Sequence, residues 1–253
     1  MLRRTRFRDN AVVQLFCVPN AGNGPAVFRG WADRLAPEIE VITVELPGRE
    51  SRFHEPPYQR MERLVPDLGG AVIECLSEDR PFAFFGNSMG SVVAFETLHE
   101  IHRRSGREAV HLFVSACGAP QCESILPPMG HLDDEELIRE VDMRYGGIPA
   151  AVMADKEFLA LTLPTLRADI CMLEAYRQDE LQPLQCPITA FVGRFDATVP
   201  LIQAEAWREQ TSRRFQSFVL EEGHLYLDSA RDLLLSHLRQ ALLVATSQEG
   251  VLP

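Results

Sequence analysis

The chain has 253 residues, 46% of them hydrophobic and 24% charged, the composition of a soluble globular protein able to bury one large α/β core. Its net charge of −11 argues against a nucleic-acid partner, which would call for a basic surface. No stretch approaches the roughly 18 apolar residues of a membrane helix, and the start, MLRRTRFRDN, lacks the apolar run of a secretory signal. The chain therefore reads as cytoplasmic and free of the membrane. Six cysteines (Cys17, Cys75, Cys117, Cys122, Cys171 and Cys186) lie scattered without zinc-site or disulfide spacing, so neither a metal nor a bound cofactor is expected.

In chain order, AVVQLFCV (11–18), EVITVEL (40–46), PFAFFG (81–86), VHLFVSA (110–116), ITAFVG (188–193) and SFVLEE (217–222) read as short strands. Most are continuous apolar runs, as strands buried on both faces require. Helical patterns fall between them near 26–35, 60–76, 89–104, 199–210 and 228–244. This alternation predicts one domain, residues 1–253, with a mostly parallel sheet flanked by helices. Residues 121–186 break the rhythm with amphipathic helices and no convincing strand. Such an insertion is either a lid or a pair of helices packed on the sheet's flank. Its apolar residues Leu132, Leu137, Met153, Phe158, Leu159, Leu163, Leu166 and Met172 are more than a solvated flank needs and favour a mobile lid. The last residues, SQEGVLP, look frayed.

FFGNSMGS (84–91) contains G-x-S-x-G between a predicted strand and a predicted helix. A sharp strand-to-helix elbow leaves no room for side chains two residues either side of the nucleophile, so Gly86 and Gly90 let Ser88 stand exposed. A serine hydroxyl is a poor nucleophile alone and needs a base and a group to orient that base. Of seven histidines, His99, His102 and His237 fall on helices, His111 at a strand start, and His54 and His131 in loops. His224 differs, because it follows the last strand in LEEGHLYLDS, at a carboxyl end of the sheet where such sites gather. Asp196, in FVGRFDATVP, likewise sits just past a strand, whereas Asp169 and Asp228 fall within or beside helices. The order Ser88, Asp196, His224 is that of a triad on an α/β-hydrolase fold. An oxyanion hole would then use the amide of Met89 and one from the loop VPNAGNGP, with Ala21 as the donor.

Several blocks, LFCVPNAGNGPAVFRGWADRL, VELPGRESRFHEPP, PFAFFGNSMGSVVAFE, YGGIP, LPTLRADICMLEAY, PLQCPITAFVGRFDATV, AWREQT and GHLYL, together resemble a type II thioesterase, over roughly residues 12 to 240. This is the discrete enzyme that accompanies polyketide synthases and nonribosomal peptide synthetases. The resemblance implies an α/β-hydrolase that hydrolyses acyl or aminoacyl thioesters from the phosphopantetheine arm of carrier proteins. It implies Ser88 as nucleophile, His224 as base, Asp196 as its partner, and Ala21 with Met89 as oxyanion donors. The chain departs from the family at Asn20 and Asn87, where histidines are usual, and in EEGHLYL, where a glycine and phenylalanines are commoner.

A carboxylesterase or lipase on the same fold remains the alternative, and a non-catalytic carrier-protein binder a third reading. Carrier proteins of this kind are acidic, so an enzyme of charge −11, expected as a monomer, needs a locally basic docking face. Arg29, Arg34, Arg49 and Arg52, nearest in sequence to the predicted mouth, are the candidates, unless they are solvated or paired with Glu45, Glu50 and Glu55.

Overall fold

The computed structural model describes residues 1–4, 10–146, 148, 150–178 and 182–249. Among them seven strands form one sheet, in the order β1-β3-β2-β4-β5-β6-β7. The strands are β1 (Leu2–Arg4), β2 (Val13–Val18), β3 (Ile39–Val44), β4 (Phe82–Asn87), β5 (His111–Ser115), β6 (Ile188–Gly193) and β7 (Phe215–Leu220). Every neighbouring pair is parallel except β1 with β3. Strand β1 has no counterpart in the sequence reading: LRR is three residues long with no apolar alternation, and it forms only because the β3 edge offers a ladder to pair with.

The helices are α1 (Trp31–Arg34), α2 (Met61–Cys75), α3 (Met89–Ser105), α4 (Asp134–Tyr145), α5 (Ala150–Ala154), α6 (Lys156–Ala175), α7 (Leu201–Glu205) and α8 (Arg231–Glu249). Two expected helices are broken. The one near 26–35 splits into a 3-10 turn and α1 because Gly30 takes φ 83°, and the one near 199–210 tightens from α7 into a 3-10 turn, Ala206–Gln210. The expected frayed end lies, from Gly250 onward, outside the described residues.

Both sheet faces are covered, which is why the central strands are apolar on both sides. Phe16, Phe82 and Phe84 pack under α2 and α3 with Leu64, Leu68, Val93 and Phe95. Leu15, Phe85 and Phe113 pack under α1 and α8 with Trp31, Leu234, Leu238 and Leu242. The chain runs from β2 outward to β3, then crosses back to β4 and continues to β7. The order therefore reverses between β2 and β4, and ligands of open α/β sheets bind in the crevice beyond such a point. The loop after β2 and the elbow after β4 both open there.

Between β5 and β6, residues 121–186 carry α4, α5 and α6 and, among the described residues, an isolated bridge from Leu184 to Thr211. Leu137, Ile138 and Val141 of α4 bury against Leu163 and Ile170 of α6, a small core separate from those of the sheet.

Candidate active site

Ser88 sits between β4 and α3 with φ 51° and ψ −118°, a conformation that L-residues avoid unless their surroundings impose it. Its N–H donates to the Ser115 carbonyl at 2.7 Å, and its own carbonyl accepts from Ser91 N–H at 2.9 Å. The flanking glycines are sterically required. A Cβ on Gly86 would lie 2.3 Å from the Gly90 carbonyl oxygen, and one on Gly90 would lie 2.2 Å from that of Val18. The second contact seats the start of α3 against the end of β2, where the Gly90 backbone also closes on the Pro19 carbonyl.

Asp196 and His224 arrive on neighbouring loops after β6 and β7. Those loops touch at their backbones, since a Cβ on Gly193 would lie 2.0 Å from the Gly223 oxygen, and Phe195 N–H donates to the Glu222 carbonyl at 2.9 Å. The side chains connect in one line. His224 Nε2 lies 3.1 Å from Ser88 Oγ, and His224 Nδ1 lies 2.7 Å from Asp196 Oδ2. Asp196 and His224 are buried, while Ser88 is partly open. Burial by itself would raise the Asp196 carboxyl, but hydrogen bonds from His224 and Thr198 outweigh it and hold the group below its ordinary range. An ionised Asp196 can only accept, so Nδ1 carries the imidazole proton and Nε2 is free to accept from Ser88.

Sequence reasoning missed several residues of this site. Thr198 donates from its N–H at 2.8 Å and its hydroxyl at 2.6 Å to Asp196 Oδ1, and its oxygen lies 3.1 Å from His224 Nδ1. Tyr226 is fully buried. Its hydroxyl donates to the Phe191 carbonyl at 2.8 Å and accepts from Ala116 N–H at 2.8 Å and from Ser115 Oγ at 2.9 Å. The only signal for Tyr226 was a tyrosine in an otherwise apolar family position. Asn20 and Asn87, already singled out in the sequence, line one cavity of about 200 Å³ with Asn23, Val27, Leu225, Leu227 and Asp228, and Asn87 Oδ1 is buried with no hydrogen-bond partner among the described residues.

Of the four candidate docking arginines, Arg49 is a correction. It is 5% exposed and forms a two-pronged ion pair with Asp169, at 2.7 and 3.0 Å, so it has no docking surface to offer. Arg29 is exposed, Arg34 pairs with Asp232, and Arg52 pairs with Glu55. Among the described residues no group of three or more His, Cys, Asp or Glu side chains is placed to hold a metal, and no helix is long and apolar enough to cross a membrane.

A thioesterase-domain profile matches residues 13–242, nearly the whole sheet and every element of this site. The chain belongs to the thioesterase family. This thioesterase is 38% identical over 217 residues to the gramicidin S biosynthesis protein GrsT of Aneurinibacillus migulanus, covering 86% of this chain and 84% of that one. Among solved structures it is similar to the RedJ thioesterase from the prodiginine pathway of Streptomyces coelicolor (37% identity, TM-score 0.83, 91% of this chain and 86% of that one). It is also similar to BorB, the type II thioesterase from the borrelidin biosynthetic cluster (32% identity, TM-score 0.85, 95% and 97%). The thioesterase has the α/β-hydrolase fold.

Proposed function

We propose that this thioesterase hydrolyses acyl or aminoacyl groups from the phosphopantetheine arm of carrier proteins in a polyketide or nonribosomal peptide assembly line, through a serine-bound acyl intermediate. The observation that carries this reading is the hydrogen-bonded line Ser88, His224, Asp196 at the crevice of a chain so similar to assembly-line thioesterases. His224 Nε2 takes the Ser88 proton as Oγ attacks the thioester carbonyl. Asp196 and Thr198 hold the imidazolium, and the Ala21 and Met89 amides receive the charge that develops on the carbonyl oxygen. The C–S bond then breaks, and the imidazolium gives its proton to the departing pantetheine sulfur. His224 next draws a proton from water, whose oxygen attacks the acyl-serine, and Ser88 leaves with that proton as the free acid departs.

The test compares hydrolysis of an acyl-carrier protein with that of a simple oxygen ester of the same acyl group. Ser88→Ala and His224→Ala should each lower kcat on the carrier-bound thioester by at least about 10⁴-fold while the fold persists, because both groups act as one unit. Near-normal turnover by Ser88→Ala would overturn the assignment. A preference for the oxygen ester would make the protein a carboxylesterase on this fold.

A further inference from the structure

The loop after β2 makes a tight turn, with Asn23 N–H donating to the Asn20 carbonyl at 3.1 Å and Gly22 at the third position with φ 72°. That is the geometry of a type II turn, which differs from type I mainly by a flip of the central peptide, here the one joining Ala21 to Gly22. Within the loop, Asn23 Nδ2 donates to the carbonyl of this peptide at 3.3 Å, and its N–H is held from outside the loop. Gly22 N–H donates at 2.8 Å to Asp169 Oδ2, which is carried by α6, 147 residues away in the chain. The same carboxylate is clamped by the Arg49 fork, and Arg49 Nη1 also donates to the Asn23 carbonyl at 3.1 Å, closing the other end of the turn. Leu166, one turn earlier on α6, fills the space where a Gly22 side chain would be, with Cδ1 3.1 Å from the ideal Cβ position.

Asp169 and Arg49 are almost completely buried, 1% and 5% exposed. A buried ion pair is weak evidence for stability, because desolvation offsets most of its attraction. It is strong in geometry, since charge-assisted, two-pronged hydrogen bonds fix direction as well as distance.

We infer that Asp169, held by Arg49, is a positioning residue for the oxyanion hole: by gripping the Gly22 N–H and, through Arg49, the Asn23 carbonyl it keeps the Asn20–Asn23 turn seated, and with it Ala21, whose own N–H lies in the preceding peptide and is the one offered to the oxyanion. This rests on the reading of Ala21 and Met89 as oxyanion donors. Because Asp169 belongs to α6, the turn is in place only when α6 is seated, which ties the helical segment over the crevice to the competence of the hole. Donors misplaced by an ångström lose their effect on the transition state while leaving ground-state binding largely intact.

Two variants test this with Ser88→Ala in the same assay, using a soluble acyl-pantetheine thioester and a trifluoromethyl ketone, whose adduct with Ser88 carries an oxyanion. Asp169→Asn should lower kcat on the order of 10- to 100-fold with KM within about twofold, and weaken the ketone by the same factor. Because Asp169→Asn leaves Arg49 buried without its counter-ion and so destabilises the fold, the second variant, Arg49→Met with Asp169→Leu, replaces the pair by apolar groups. It should recover a Tm near that of the parent without recovering kcat or ketone affinity. Recovery of kcat and ketone affinity along with Tm would reduce the pair to a structural role and overturn the inference. An inactive Ser88→Ala beside a fully active double variant sinks only this inference; an active Ser88→Ala sinks the serine mechanism, and the inference with it.

Discussion

The ring of Tyr145 lies 4.7 Å from the imidazole of His224, centroid to centroid, with the planes tilted by 50°. Tyr145 ends α4, so the helical segment 121–186 reaches the base itself and covers one face of it. The segment is not uniformly loose. The second half of α6 is tied down by Asp169 to Arg49, by the Thr165 hydroxyl to the Gly48 carbonyl at 2.7 Å, and by Arg167 to the Gly130 carbonyl at 2.7 Å. Residues 154–158, by contrast, are exposed throughout, and Phe158 and Leu161 stand 47% and 55% open. If the segment acts as a lid, its moving part is α5 with the start of α6. Amide hydrogen exchange should then be at least about tenfold faster over residues 151–161 than over 163–175, and a long-chain phosphonate on Ser88 should slow it. Uniform protection of both stretches, with and without the phosphonate, would remove the gate.

Tyr226 fastens the loop of His224 to the ends of β5 and β6. Tyr226→Phe leaves the buried Ser115 hydroxyl without its acceptor, while the Ala116 N–H and the Phe191 carbonyl keep each other at 3.0 Å and lose only their second partner. A buried polar group left unsatisfied costs about 1–3 kcal/mol, so the variant should lose at least about 1 kcal/mol in urea unfolding. It should also lower kcat, since the base is two residues away. A loss below about 0.5 kcal/mol would mean that water or a rearrangement replaces the hydroxyl.

With Arg49 buried and Arg34 paired to Asp232 at the start of α8, the candidates left on this side are Arg29 and the Glu55-paired Arg52, on two loops that Glu50 ties together through the Ala26 N–H. Reversing both to glutamate should raise KM for a carrier-bound thioester, more at low ionic strength, and spare an acyl-pantetheine substrate. Equal losses on both substrates would show that these residues shape the site. Unchanged constants would place the docking face elsewhere.

His111 opens β5 with Nε2 2.8 Å from the Thr189 hydroxyl and its ring stacked 4.1 Å from Phe113. Burial pushes its pKa down to about 3. The unfolded chain binds this proton near pH 6.5 and the folded chain only near 3, so in between the unfolded state holds one proton more. Stability is complete above the unfolded value and falls toward acid by about 1.4 kcal/mol per pH unit for this group. Measured as urea stability between about pH 4 and 6, His111→Gln should flatten that slope by this amount. An unchanged slope would show that His111 is already protonated in the fold.

What the amino-acid sequence determined by itself is local in origin. Strands β2 to β6 were legible as apolar runs because both their faces are buried, and the elbow because only glycine fits at positions 86 and 90. Asp196 and His224 stood out because each follows a strand whose carboxyl end is predictable from periodicity alone, and the spacing of blocks along the chain carried the family. The tertiary structure decided everything that depends on two distant surfaces meeting. Asp169 looked like one more polar residue on a helix and Arg49 like a loop cation free to dock. Their pairing across 120 residues exists only because α6 lies down over the loops after β2 and β3. Tyr226 reaches partners 35 and more than 100 residues away, and β1 forms solely on the edge that β3 presents. Such contacts leave no period in the sequence, because a side chain's partner is set by the docking of elements and not by its own neighbours.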